Sequence, residues 1–324
     1  MKPLQQIENI YNSELKDSIL KYSHIRIKMN RWKNYGILII LLTILSLFFG
    51  NTLTRIISSL AGFSGAIYTF SIAQLEYKKL IPHYKNEIVS RVINIINPDF
   101  KYSINGHIEN HYFNESKIFE IESFACEGDD MVTGKIDKTN FKFSEFHARQ
   151  YHYVKDDVYK GTKGPTIFHG IFFYAEFNKH IKGKTVILPN NYKGITNKLG
   201  QEKRDVRFYG KLVKLENPEF EKIFSVYADS QQEARYIITP AMMEAMMNTY
   251  QVCNRQLFFS FIGDNVYCAV NFYNNNGVIK GLFEPSGKKT DTDFSAVKEI
   301  YFLISLIETI IKEMNLNTRI WTKE

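Results

Sequence analysis

YGILIILLTILSLFF, Tyr35 to Phe49, and IISSLAGFSGAIYTFSIA, Ile56 to Ala73, contain no charged residue. At about 1.5 Å per residue, 18 helical residues span about 27 Å, close to the roughly 30 Å hydrocarbon core of a bilayer. The second stretch is long enough as it stands. The first reaches that length by extending through Trp32 on one side and Leu53 on the other, and Tyr35 and Phe49 place an aromatic at each end, suited to a membrane interface. Only Gly50 to Arg55 separate the two runs, so the spacing predicts an antiparallel helical hairpin with a short polar tip. Ala61, Gly62, Gly65 and Ala66 supply the small-xxx-small spacing that lets the second helix approach the first. A helical pair inside a soluble core is the alternative, and the uncharged lengths argue against it. A cleaved signal peptide fits worse, because a second apolar run follows directly and no small-residue cleavage site intervenes.

Outward from the hairpin, charge separates the chain into parts. Residues 1–34 hold 7 Lys/Arg and 3 Asp/Glu, residues 35–80 hold 3 and 1, and residues 81–324 hold 31 and 30. The formal net charge of +7 therefore belongs mostly to the flanks of the apolar runs. The nearly neutral remainder has no basic surplus to drive nucleic-acid binding by counterion release, although a local patch is compatible with it. Arg26, Lys28, Arg31 and Lys33 precede the first run, Lys78, Lys79 and Lys85 follow the second, and Arg55 alone lies in the tip. The positive-inside rule then places both outer ends in the cytoplasm. Three cysteines, Cys126, Cys253 and Cys268, do not form a disulfide scaffold and agree with a reducing compartment. The expected parts are a cytoplasmic helical arm (1–34), a transmembrane hairpin (35–80) and a cytoplasmic domain (81–324). In the arm, Ile7, Tyr11, Leu15 and Ile19 form one narrow stripe that suits either the domain or the bilayer surface.

Past Pro82, expected to interrupt the helix, NEIVSRVINII restarts an amphipathic one. The period then changes from helical to alternating. Strands are expected at 131–136 and 140–153 around the turn Asp137 to Thr139, and at 166–177, where TIFHGIFFYAEF is apolar on both faces, as an internal strand must be. Others are expected at 185–188, 208–215, 223–227, 257–262 and 266–272, the last two joined by a hairpin loop at Gly263 to Asn265. Asn217-Pro218, Ser230 with Glu233, and Thr239-Pro240 mark helix starts. A final helix from about Asp293 carries the stripe Val297, Ile300, Ile304, Ile307, Ile311 and Met314, widened by Leu303, Leu306 and Ile310, which suits packing on the sheet. The fold class is α+β: a mixed, largely antiparallel sheet with flanking helices behind an N-terminal transmembrane hairpin.

The chemical motifs are sparse. Gly183-Lys184-Thr185 lacks the first glycine of a phosphate loop, since Asn178 stands there. His147, His152, His169 and His180 have no metal-ligand spacing, so neither metal nor cofactor is called for. Cys126, near Asp129 and Asp130, reads as a plain thiol, with the acids opening a turn. The densest charged stretch, Asp229, Glu233 and Arg235, is the weak catalytic candidate for acid/base work, against the plainer reading of capping and surface ion pairs. Met242, Met243, Met246 and Met247 make a broad thioether face, either core or an adaptable partner surface.

The strings GIFFYAEFNKHIKGKTVILP from Gly170, KLVKLENPEFEKIFSVYADSQQEARYIITPAMMEAMM from Lys211 and LFEPS ending at Ser286, with GDDMVTGKI and FSEF before them, resemble a bacterial family of membrane-anchored proteins known as domain of unknown function 3137. The resemblance runs from about Tyr84 to Ser286. It implies an architecture and brings no activity or catalytic residues with it. The leading expectation is a non-enzymatic inner-membrane protein presenting an interaction or ligand-binding domain, with an unidentified protein partner. The alternatives are a membrane-tethered enzyme acting near Asp229 to Arg235 and a scaffold that self-assembles as a homo-oligomer through the final helix or the methionine face.

Overall fold

The computed structural model describes residues 2–120, 124–152, 162–191, 206–274, 277–278, 283 and 294–316. The chain divides into two compact units, Lys2–Ile95 with Phe283–Phe294, and Ile96–Leu282 with Ser295–Glu324.

The first unit is helical. It comprises α1 (Leu4–Ile10), a π-helical turn (Tyr11–Leu15), α2 (Lys16–Phe49), α3 (Thr52–Tyr84), a second π-helical turn (Lys85–Val89) and nearly all of α4 (Ser90–Ile96). Helix α2 runs without a break from the polar arm into the first apolar run. Ile7, Tyr11 and Leu15 are buried, and Tyr11 meets the Phe294 ring edge-on at 5.3 Å, so protein covers this stripe. The Ile19 side chain lies outside the described residues. Pro82 does not interrupt its helix as expected: α3 continues to Tyr84 and passes into the π-helical turn. Two helices, Ile27–Phe49 and Thr52–Ile96, are long and apolar enough to cross a membrane.

Asn51 caps α3 by accepting the Thr54 N–H at 2.9 Å. The two helices then pack through small residues. Gly62 and Ala66 are buried, whereas Ala61 faces outward. A Cβ at Gly62 would lie 1.8 Å from Thr43 Oγ1, so only glycine allows the backbones this close, while the nearest atom at Gly65 is Ile39 Cδ1, 3.6 Å away. Near the tip the Ser46 and Ser58 hydroxyls bond across the pair at 2.6 Å, and near the base Lys28 pairs with Glu76 at 3.0 Å. Leu53, Leu60, Phe63, Phe48 and Phe49 project outward, each at least two-thirds exposed.

The second unit contains β1 (Lys101–Ser103), α5 (Asn110–Glu115), β2 (Phe124–Ile136), β3 (Thr139–His152), β4 (Thr162–Pro189), α6 (Val206–Tyr209), β5 (Lys211–Val213), α7 (Pro218–Ile223), β6 (Phe224–Ala228), α8 (Gln231–Ile237), α9 (Pro240–Cys253), β7 (Leu257–Asn271), the short pair β8 (Tyr273–Asn274) and β9 (Gly277–Val278), and α10 (Ser295–Leu316). The main sheet has the order β1-β2-β3-β4-β6-β5, with β7 on the other edge of β4, and every pairing is antiparallel. The double-sided apolar run at 166–177 is internal as expected, with Ile171, Phe172 and Phe173 fully buried. One face of the sheet carries an aromatic core in which Phe113 of α5 stacks on Phe146 at 5.0 Å and meets Phe172 at 5.3 Å. Helix α10 packs on α9, β2 and β4. Its stripe from Val297 to Ile311 is buried in this packing, so it is not an open assembly face. Asp293, Met314 and most of LFEPS fall outside the described residues or side chains.

Three local expectations change. Residues 208–215 are not one strand, because α6 ends at Tyr209 and only Lys211–Val213 pair, with β6. Gly263 is not a hairpin tip: β7 is continuous, since both its halves pair with the long β4, and Gly263 takes a left-handed φ of +58° where the register shifts opposite Ile181. Asp129 and Asp130 do not open a turn; they form a bulge within β2. The three expected caps hold, with Asn217 Oδ1, Ser230 Oγ and Thr239 Oγ1 accepting backbone N–H bonds at the starts of α7, α8 and α9.

Gly62→Val is expected to weaken the helix pair by about 1–3 kcal/mol through overpacking. Disulfide trapping between Ser46→Cys and Ser58→Cys reads this directly. Its yield should fall severalfold with Gly62→Val and persist with Gly65→Ala, and equal yields would contradict the packing.

Candidate functional site

The weak catalytic candidates from the sequence do come together, but on backbone. Glu233 Oε1 accepts the Lys182 N–H at 2.9 Å and Oε2 accepts the Gly183 N–H at 3.1 Å. Asp229 Oδ2 accepts the next amide, Lys184 N–H, also at 3.1 Å. Arg235 turns away and donates to the Lys214 carbonyl at 3.0 Å. Two carboxylates thus clamp three consecutive amides of β4 at its register shift, where ladder partners are missing. Those amides belong to the segment that resembles a phosphate loop, and carboxylates occupy them instead. The methionine face is likewise structural: Met242, Met243 and Met246 are buried and Met247 is half-buried, so the partner-surface reading of these residues is replaced by core packing.

A denser polar constellation lies elsewhere. Alternation along β3 puts Phe141, Phe143, Glu145, His147 and Arg149 on one face. The register sets Glu145 opposite Asp129 of β2, and His147 opposite His169 of β4. The bulge after Asp129 gives Asp130 a left-handed φ of +57° and buries it completely. Carboxylate oxygens of Asp129, Asp130 and Glu145 lie within 4.8 Å of one another. Tyr102 of β1 donates its hydroxyl to Asp130 Oδ1. Burial first, and the neighbouring Asp130 second, hold this phenol far above its usual range, so it remains a donor.

His169 Nε2 lies 3.2 Å from Glu145 Oε1, and the His169 ring stacks on His147 with centroids 4.6 Å apart. His147 Nε2 accepts from Arg149 Nε at 3.1 Å and lies 3.1 Å from Thr166 Oγ1. Phe272 meets the His169 ring edge-on at 5.8 Å, and the Arg255 guanidinium covers Phe272 at 4.7 Å. Three carboxylates with an imidazole at their edge have the chemistry to hold a divalent cation or to exchange a proton. Asp129, Asp130, Glu145 and His169 are the residues that would supply the ligands. The histidines are too far apart in the chain to show this grouping, and Glu145 and Tyr102 lie outside every motif legible in it. The signal available for Glu145 was period-two alternation, in which the apolar face of β3 turns polar after Phe143.

Cys126 is not part of this row. Its thiol is pushed up from 9.0 to about 12 by burial, which suits a packed thiol and not a nucleophile.

The fold and its sites therefore define a helical hairpin joined to an antiparallel α+β domain without an assembled catalytic set at the positions picked from sequence. Residues 166–316 match the family described as Protein of unknown function (DUF3137). The match begins later than the quoted strings do and extends through α10. No curated protein matches the chain. Among solved structures it is similar to the crystal structure of the mycobacterial trehalose monomycolate transport factor A, TtfA, with 9% sequence identity, 68% of this chain and 96% of that chain covered, and a TM-score of 0.33.

Glu233→Gln should lower stability by about 1–3 kcal/mol, the cost of weakening two charge-assisted hydrogen bonds. Amide exchange at Lys182 and Gly183 should accelerate together, and unchanged protection there would contradict the clamp. For Cys126 the raised pKa depresses the thiolate fraction at every pH below about 12. Near pH 8.5, about where a free thiol is half ionised, iodoacetamide should modify Cys126 roughly a hundredfold or more slowly than it modifies a free cysteine. Mass spectrometry after urea unfolding should show the ordinary rate restored.

Proposed function

We propose that this chain is a non-enzymatic integral membrane protein of the bacterial inner membrane, in which the hairpin anchors a cytoplasmic α+β binding domain. The observation that carries the reading is the outward surface of α2 and α3. Phe48, Phe49, Leu53, Leu60 and Phe63 are 67–84% exposed on helices that approach each other most closely at Gly62 and Thr43 and share a Ser46–Ser58 hydrogen bond. A water-facing patch of this kind would far exceed what soluble monomers tolerate, whereas lipid solvates it. The hydroxyls inside the pair satisfy themselves, Thr43 on the Ile39 carbonyl and Thr69 on the Ala66 carbonyl, as a dry environment requires.

Lysine and arginine at the two outer ends support the cytoplasmic assignment of both termini. The near-neutral domain and the structural employment of Asp229, Glu233 and Arg235 support a binding role over catalysis.

Membrane fractions from cells expressing the full chain test this. The protein should stay in the pellet after alkaline carbonate and leave it only with detergent. A reporter fused after Glu324 should be active in its cytoplasmic form alone, while a cysteine placed at Asn51 should react with an impermeant maleimide from the periplasm. Release by carbonate, or periplasmic reporter activity, overturns the proposal.

A further inference from the structure

The face of the sheet that carries the aromatic core emerges, at one end, into an open groove of about 430 Å³ lined by lysines. Register places them. Lys101 of β1 pairs with Thr133 of β2, Thr133 with Lys142 of β3, and Lys142 with Tyr174 of β4, so one row crosses four strands. Lys135 and Asn140 pair one step further along the same face. Neighbouring strands are about 4.8 Å apart, so the backbones of Lys101 and Lys142 lie roughly 10 Å apart, within the span of flexible lysine side chains. Three lysines and one acidic residue, Asp99, line the groove.

The lysines are not equivalent. Lys142 is already held by Glu109 at 2.5 Å and lies over the Tyr112 ring at 4.4 Å. Lys101 and Lys135 are exposed and make no ion pair among the described residues. Thr133 and Asn140 add neutral hydrogen-bonding groups between the cations, and Tyr174 walls the groove, its ring held 3.9 Å from that of Tyr112. Cations on a flexible surface are usually solvated and purposeless; these are mounted on paired strands, around a concavity, beside a fixed ring. Ammonium groups act as point charges suited to phosphate oxygens.

We propose that this groove binds a phosphate group, with Lys101 and Lys135 on its oxygens, Thr133 and Asn140 completing the hydrogen bonds, and Tyr174 beside whatever carries the phosphate. The domain's overall neutrality hides this local surplus. The proposal deepens the binding-domain reading by naming a ligand class, and it holds whether or not the hairpin spans a bilayer.

Titration calorimetry with the full chain in neutral detergent and inorganic phosphate tests it independently of membrane insertion. Saturable binding should weaken roughly tenfold or more in the Lys101→Gln/Lys135→Gln double variant. It should survive in Lys101→Arg/Lys135→Arg and in Lys211→Gln/Lys298→Gln, which removes the same charge from other exposed positions. No binding, or equal loss in both glutamine pairs, overturns the proposal. Nanodiscs then separate two sources of the phosphate. If phosphatidic acid in a phosphatidylcholine disc blocks inorganic phosphate, a lipid headgroup fills the groove; if it does not, the ligand is soluble. A fluorescent RNA that binds tightly and ignores inorganic phosphate would count against a small phosphate site.

Discussion

Strand β4 must be covered on two faces and paired on two edges, and the second unit is organised by meeting that requirement. Its residues Ile171, Phe172 and Phe173 are apolar in succession and fully buried, so neither side of the sheet can face water there. Strands β3 and β6 take successive lengths of one edge, and β7 follows the other almost throughout. The aromatic core built on Phe113, Phe146 and Phe172 fills one face, and α10, packed on α9, β2 and β4, covers the opposite one. Where the long pairing slips, at residues 176–184, backbone amides lose their ladder partners, and the carboxylates of Asp229 and Glu233 replace them. An acidic pair that looks chemical in the sequence is thus a consequence of strand length.

The same sheet explains why polar groups collect where they do. On β3 the face that begins with Phe141 and Phe143 continues as Glu145, His147 and Arg149, beyond the part covered as core. Cross-strand pairing then brings Asp129 and His169 against it, and the β2 bulge turns Asp130 inward. The other face behaves similarly at its own end, where aromatic packing gives way to Lys101, Lys135 and Lys142. Both polar regions are made by register, since no two strands contribute neighbouring residues in the chain.

In the hairpin, close approach takes over the role that apolar burial plays in the sheet domain. Many large side chains point outward, and the closest approach of the two helices is made by Gly62 against Thr43. Such packing depends on backbone proximity, which is why a single Cβ at Gly62 cannot be accommodated against Thr43.

By itself the sequence determined the elements whose signals are local. Uncharged length marked the two long helices, side-chain caps at Asn217, Ser230 and Thr239 marked three helix starts, and double-sided apolarity marked β4 as internal. The continuous β7 was not legible, because Gly263 reads as a turn until a partner strand long enough to hold both halves is known. Nor was the path through Pro82, where a proline usually ends a helix. The grouping of Tyr102, Asp130, Glu145 and His169, like the lysine groove, was decided only by tertiary structure. Strand registers and bulges are set by pairing with distant residues, and a one-residue shift would send each of those side chains to the other face of the sheet.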